Sequence, residues 1–171
     1  SAMSCGADMA SVSVHKTGGS LTQSAILLLG KGIDPNYVRQ IINLTQTTSA
    51  SYLLMVSLDL ARQNLALHGR EFYAKTVEFA DYARKEINAI GGYYAFGEEL
   101  CDGKAFYAFD KTKLSVHTRA MGLAGIEVYD LLRDEYDIQI EFGDIGNILA
   151  IITGGDRCLL YTSPSPRDRT R

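Results

Sequence analysis

The hydrophobic and polar positions of the chain change period several times, and each change predicts an element. Residues 10–14 and 25–29 are short apolar runs that read as strands flanking a polar, glycine-containing stretch. Ahead of them, residues 1–9 read as the tail of a helix and a turn, with Gly6 and Asp8 as breakers. Asp34 and Pro35 suit the N-cap and first position of a short helix over residues 36–43. Hydroxyl-rich residues 45–51 then lead to a helix over 51–68, with Leu53, Val56, Leu60 and Leu67 on one face. A longer helix follows over residues 70–90. Phe72, Phe79, Ala83, Ile87 and Ile90 keep its apolar spacing, Glu71, Lys75, Glu78, Asp81, Arg84 and Lys85 face away, and Gly91-Gly92 ends it. Such a helix could bridge two domains or belong to one core; periodicity favours neither.

Beyond it the texture is that of a smaller α/β unit: a strand over 114–117, a helix over 122–135, an alternating strand over 138–142 and an apolar strand over 148–153. The last fourteen residues, 158–171, are turn-forming and basic. They are expected to be a disordered tail, similar to a translated sequencing adapter, with a natural tail as the alternative. The chain has no capped beginning and reads as starting inside a domain.

Composition narrows the function classes. The 171 residues are 46% hydrophobic and 22% charged with a net charge of -3, as in an ordinary soluble globular protein. Neither nucleic acid nor an anionic membrane is an expected partner. No apolar run is long enough to cross a bilayer, and no signal peptide is visible. Cys5, Cys101 and Cys158 form neither a disulfide framework nor a zinc motif, and His15, His68 and His117 are scattered. A cytoplasmic location without a metal site is the simplest expectation.

The chemistry concentrates at Lys16. It leaves the first strand within Ser11-Val-Ser-Val-His-Lys-Thr-Gly-Gly-Ser-Leu-Thr-Gln-Ser-Ala25. An amine among hydroxyls, followed by glycines that let backbone approach closely, suits attachment to a phosphate-bearing aldehyde cofactor. Ser11, Ser13, His15, Lys16, Gly19, Ser20, Thr22, Gln23, Ser24 and Ala25 fill every constrained position of a known signature. The stretch resembles the cofactor-attachment signature of the bacterial ornithine/lysine/arginine decarboxylases. Residues 47–59, 109–114, 125–129 and 144–149 extend the resemblance to about residue 157, with Ala50 where proline is usual.

The resemblance implies an α/β fold of the aspartate-aminotransferase type (fold type I), with a mostly parallel seven-stranded sheet and an active site at a homodimer interface. Residues 1–90 would be the C-terminal part of the cofactor-binding large domain, and 91–157 the start of the small domain. Lys16 would form the Schiff base with pyridoxal 5'-phosphate. Ser13 and His15 would contact the cofactor phosphate, and Thr48 and Ser49 the phosphate of a neighbouring subunit. Capping of the next helix is an equal reading of Thr48 and Ser49. The reaction implied is decarboxylation of arginine, lysine or ornithine, with Lys16 or His15 returning a proton to Cα. The pyridine-pairing aspartate, the stacking ring and the main phosphate turn of such enzymes lie upstream of the lysine. Asp8 fits a turn better than that role, so the chain by itself is expected to be inactive. Glu98, Glu99 and Asp144 are candidates for the carboxylate that receives a basic substrate, and read equally well as surface charges. The competing readings are an aminotransferase or another lyase on the same fold, and an inactive regulatory homologue.

Overall fold

The computed structural model describes residues 2–156, so the tail expected at 158–171 lies outside the described residues. Two compact units divide the chain, one up to Arg70 and one from Glu71.

In the first unit a short 3-10 turn, Met3–Cys5, ends at Gly6, whose φ of 93° is the left-handed stop anticipated there. Strand β1 (Met9–Val12) pairs antiparallel with β2 (Ile26–Leu29), Val12 facing Ile26 and Met9 facing Leu29. The predicted strand over 10–14 therefore stops earlier. Residues 14–17 turn into the short helix α1 (Val14–Thr17), so Lys16 sits on a helical turn rather than in an open loop. Val14, apolar enough to read as strand, is instead the buried residue of that turn. Helix α2 (Pro35–Thr45) begins as the sequence predicts: the Asp34 carboxylate accepts a 2.9 Å hydrogen bond from the Asn36 amide, and Pro35 needs no donor.

The helices predicted over 51–68 and 70–90 are one element, α3 (Tyr52–Ile90). Gly69 lies between the two predicted helices. A helical glycine costs only about 1 kcal/mol relative to alanine, which a helix of this length absorbs. The true stop is Gly91-Gly92, both with positive φ.

In the second unit four strands, β3 (Tyr94–Ala95), β4 (Lys113–His117), β5 (Phe142–Gly143) and β6 (Asn147–Ile151), form an antiparallel sheet in the order β3-β4-β6-β5. Helix α4 (Gly125–Tyr136) packs against β5 and β6. Ala95, Leu114 and Val116 form the buried core, with Ala83 and Ile87 of α3 and Ile148, Ala150 and Ile152 packed on it. All strand pairs among the described residues are antiparallel, and the mostly parallel sheet implied by the resemblance is not seen among them.

The alternating run over 138–142 is not a strand along its length. Asp137 takes a left-handed conformation, and the Ile138 amide donates back to the Leu132 carbonyl at 2.9 Å, closing the end of α4. Phe142 and Gly143 pair with β6, and before them only the Glu141 amide reaches it, donating to the Leu149 carbonyl at 2.9 Å. Arg84 also departs from its predicted outward face. Its side chain is 11% exposed and donates to the carbonyls of Phe96, Lys111 and Lys113 at 3.0, 3.1 and 3.3 Å.

Candidate active site

The lysine turn is built by the β1–β2 ribbon, whose antiparallel register brings the two ends of residues 13–25 together. Ser13 occupies the N-cap position of α1, yet its hydroxyl makes no capping bond. His15 and Lys16 follow within the same turn. The Lys16 amide bonds to the Ser13 carbonyl at 3.2 Å, and the Gly18 amide to the Val14 carbonyl at 2.7 Å. Gly18 has to be small in this conformation, because a Cβ there would meet the Val14 side chain and carbonyl at 2.6 and 2.8 Å. Gly19, at φ 88°, carries the left-handed step that leaves the turn.

The second half of the signature holds the first. The His15 ring reaches the Ser24 carbonyl through Nδ1 at 2.8 Å. Ser24 is 3% exposed; its hydroxyl donates to the Leu21 carbonyl and lies 2.6 Å from the Ser20 hydroxyl. The Leu21 amide donates to Ser57 Oγ of α3 at 3.3 Å, and the Ser57 hydroxyl donates to the Leu54 carbonyl at 2.8 Å. Ser57 was missed by the sequence reading. A serine within a helix ordinarily marks a solvated face, and nothing in its spacing points to residue 21.

Three sequence-predicted residues, Ser13, His15 and Lys16, are thus brought together by one turn. Thr48 and Ser49 lie on another segment, the exposed connection between α2 and α3. The Ser49 amide donates to Thr47 Oγ1 at 3.3 Å, and Ser51, whose carbonyl accepts from Met55, is the residue that precedes the first turn of α3. Ser51, and neither Thr48 nor Ser49, therefore occupies the position directly before the helix.

Lys16 is exposed, and among the described residues its amine takes part in no ion pair. An unpaired amine, an uncommitted serine hydroxyl one turn away and a glycine with open space around its Cα are what a phosphate-bearing aldehyde requires of its attachment turn. The residues present fit pyridoxal phosphate in that respect. Among the described residues no group of histidine, cysteine and carboxylate side chains could hold a metal ion, and no helix is long and apolar enough to cross a membrane.

The three carboxylates considered for a basic substrate are engaged locally. Glu98 pairs with Lys111 at 2.7 Å. Glu99 accepts from the Tyr94 hydroxyl at 2.8 Å and the Gly97 amide at 2.7 Å, and the tyrosine bond first, then backbone amides, hold it below the usual carboxylate range. Asp144 accepts from the Gly146 and Asn147 amides, both at 2.7 Å.

Comparison with known proteins gives the family and the fold. The model of the family described as "Orn/Lys/Arg decarboxylase, major domain" matches residues 2–158. The arginine decarboxylase of Halalkalibacterium halodurans is 47% identical over 157 residues, which are 91% of this chain and 32% of the relative. The arginine decarboxylase of Bacillus subtilis is 45% identical with the same coverage. The chain thus spans about a third of the length of the curated relatives it matches. Among solved structures, the lysine decarboxylase LdcF of Francisella novicida superimposes with a TM-score of 0.75 at 18% identity, over 91% of this chain and 26% of that one. The constitutive lysine decarboxylase of E. coli gives a TM-score of 0.72 at 18% identity, over 91% and 27%. Likeness at that identity speaks for the fold, and the fold is part of the α/β, aspartate-aminotransferase-like type (fold type I). From the match over nearly the whole described chain and the identity to two curated relatives, the chain belongs to the Orn/Lys/Arg decarboxylase family.

Proposed function

We propose that these residues serve a pyridoxal-phosphate-dependent decarboxylase of basic amino acids, in which Lys16 attaches covalently to the cofactor. The observation that carries the reading is the turn itself: an exposed lysine amine, in no ion pair among the described residues, on the same helical turn as Ser13 and His15 in a chain of this family. Ser13 and His15 contact the cofactor phosphate. Thr48 and Ser49 contact that of a second subunit in a homodimer, with Ala50 shaping their turn where the family's pattern has proline. When bound, the cofactor supplies an electron sink for the carbanion left by loss of carbon dioxide. The Lys16 amine would return the proton to Cα, and His15 would be the second candidate donor. The relatives named arginine decarboxylase favour arginine as substrate over lysine or ornithine. A cytoplasmic enzyme supplying amines for polyamine synthesis fits that reading. Residues 1–90 then belong to the cofactor-binding domain and 91–157 to the smaller one, and the chain by itself, without the remaining two thirds of its relatives' length, is inactive.

The test replaces the corresponding segment of the Bacillus subtilis arginine decarboxylase by residues 2–156 of this chain. The chimera is expected to release carbon dioxide from arginine. Lys16→Ala is expected to lower kcat by about a thousandfold or more, since covalent attachment and a proton donor are lost together. Formation of a keto acid without carbon dioxide would instead favour the aminotransferase reading.

A further inference from the structure

We propose that Ser24 is a positioning residue that fixes His15 as its Nδ1–H tautomer and so determines what the ring can offer at Nε2. A carbonyl oxygen only accepts, so the 2.8 Å contact from His15 Nδ1 to the Ser24 carbonyl requires the proton on Nδ1. The carbonyl is held in turn. Ser24 is almost fully buried, and its single hydroxyl proton goes to the Leu21 carbonyl. The Ser20 hydroxyl, 2.6 Å away, must therefore donate to Ser24 Oγ. Leu21 is tied through its amide to Ser57 of α3, whose hydroxyl bonds the Leu54 carbonyl. Hydrogen bonds joined through the backbone of Leu21 and Ser24 thus link a long helix to one imidazole ring.

The chemical consequence concerns Nε2. With Nδ1–H committed, the neutral ring presents a lone pair at Nε2, and contact with an anionic phosphate oxygen calls for the doubly protonated ring. Ser24 thereby limits His15 to two states: acceptor when neutral, cationic donor when protonated. This deepens the proposed function and rests on it only for its relevance to the cofactor.

The experiment reads the tautomer directly, with no cofactor present. Magic-angle-spinning 15N NMR of the 171-residue chain, labelled at histidine, works equally on monomeric and self-associated protein. His15→Gln identifies the signal against those of His68 and His117. The wild-type ring is expected to be held as Nδ1–H. Ser24→Ala keeps the carbonyl but removes the hydroxyl that fixes it, and is expected to shift the tautomer ratio about fivefold towards Nε2–H, the worth of one ordinary hydrogen bond. Ser20→Thr, which keeps its hydroxyl, is expected to leave the ratio as in wild type. A wild-type ring with the mixed tautomers of free imidazole, or a Ser24→Ala ratio equal to wild type, would overturn the proposal. Either result would leave the attachment of cofactor to Lys16 to be judged by the chimera alone.

Discussion

Asp144 shows what one carboxylate does for a turn. Backbone amides of Gly146, then Asn147, donate to it and hold its pKa below the usual carboxylate range. A depressed folded-state value means that its stabilisation is fully present above the unfolded pKa of about 3.9 and is lost as pH falls through the folded value. Asp144→Asn is therefore expected to lower the urea midpoint at pH 7, with the gap to wild type closing below about pH 4, the unfolded carboxylate range. An equal gap at pH 3 and pH 7 would contradict this. The signature that contains Ser13, His15 and Lys16 was legible in the sequence, because it consists of side-chain types at fixed spacing, and it pointed to the family. The part played by Ser24 was not legible in full. It acts on His15 through its backbone carbonyl, which every residue possesses, and only the folded register brings that oxygen to the ring. The engagement of Glu98, Glu99 and Asp144 was equally hidden, since their partners are backbone amides and side chains fixed by turns.

At the scale of elements, the C-terminal part of α3 is fastened to the sheet by side chains that imitate backbone. Asn88 donates to the Ala95 carbonyl at 3.0 Å and accepts from the Ala95 amide at 2.7 Å, the pairing a neighbouring strand would make. Arg84 serves three carbonyls, pairs with Asp81 at 2.7 Å and stacks over Phe109 at 5.4 Å. Arg84→Met leaves those carbonyls without a donor and is expected to cost about 1–3 kcal/mol in urea unfolding. Arg84→Lys is not expected to recover it, because an ammonium cannot reproduce the planar fork. Unfolding free energy unchanged in Arg84→Met would show that water replaces the guanidinium. Helical periodicity assigned Arg84 to the outer face because the pattern counts polarity and does not see loops folding back over a helix. The same blindness split α3 at Gly69 and extended a strand through 138–141, where the end of α4 takes up the Ile138 amide. Capping chemistry, by contrast, was legible: Asp34-Pro35 starts α2, and Gly91-Gly92 stops α3.

The described residues bury little apolar surface for their number. Among the described residues only eight hydrophobic side chains are buried, three of them alanines, while Leu44 and Tyr52 are 82% and 81% exposed. Met9, Leu27, Leu28, Leu53, Val56 and Leu60 are exposed as well. Exposed apolar surface on this scale drives association. The isolated chain is expected to self-associate with rising concentration in sedimentation velocity; a monomer with a cooperative thermal transition would contradict that. Most directly, the central claim concerns one amine. The chimera carrying residues 2–156 is incubated with pyridoxal phosphate, reduced with borohydride, digested and mapped by mass spectrometry. The account predicts a pyridoxyl adduct on the peptide bearing Lys16 and none there after Lys16→Ala; an adduct confined to any other lysine would contradict it.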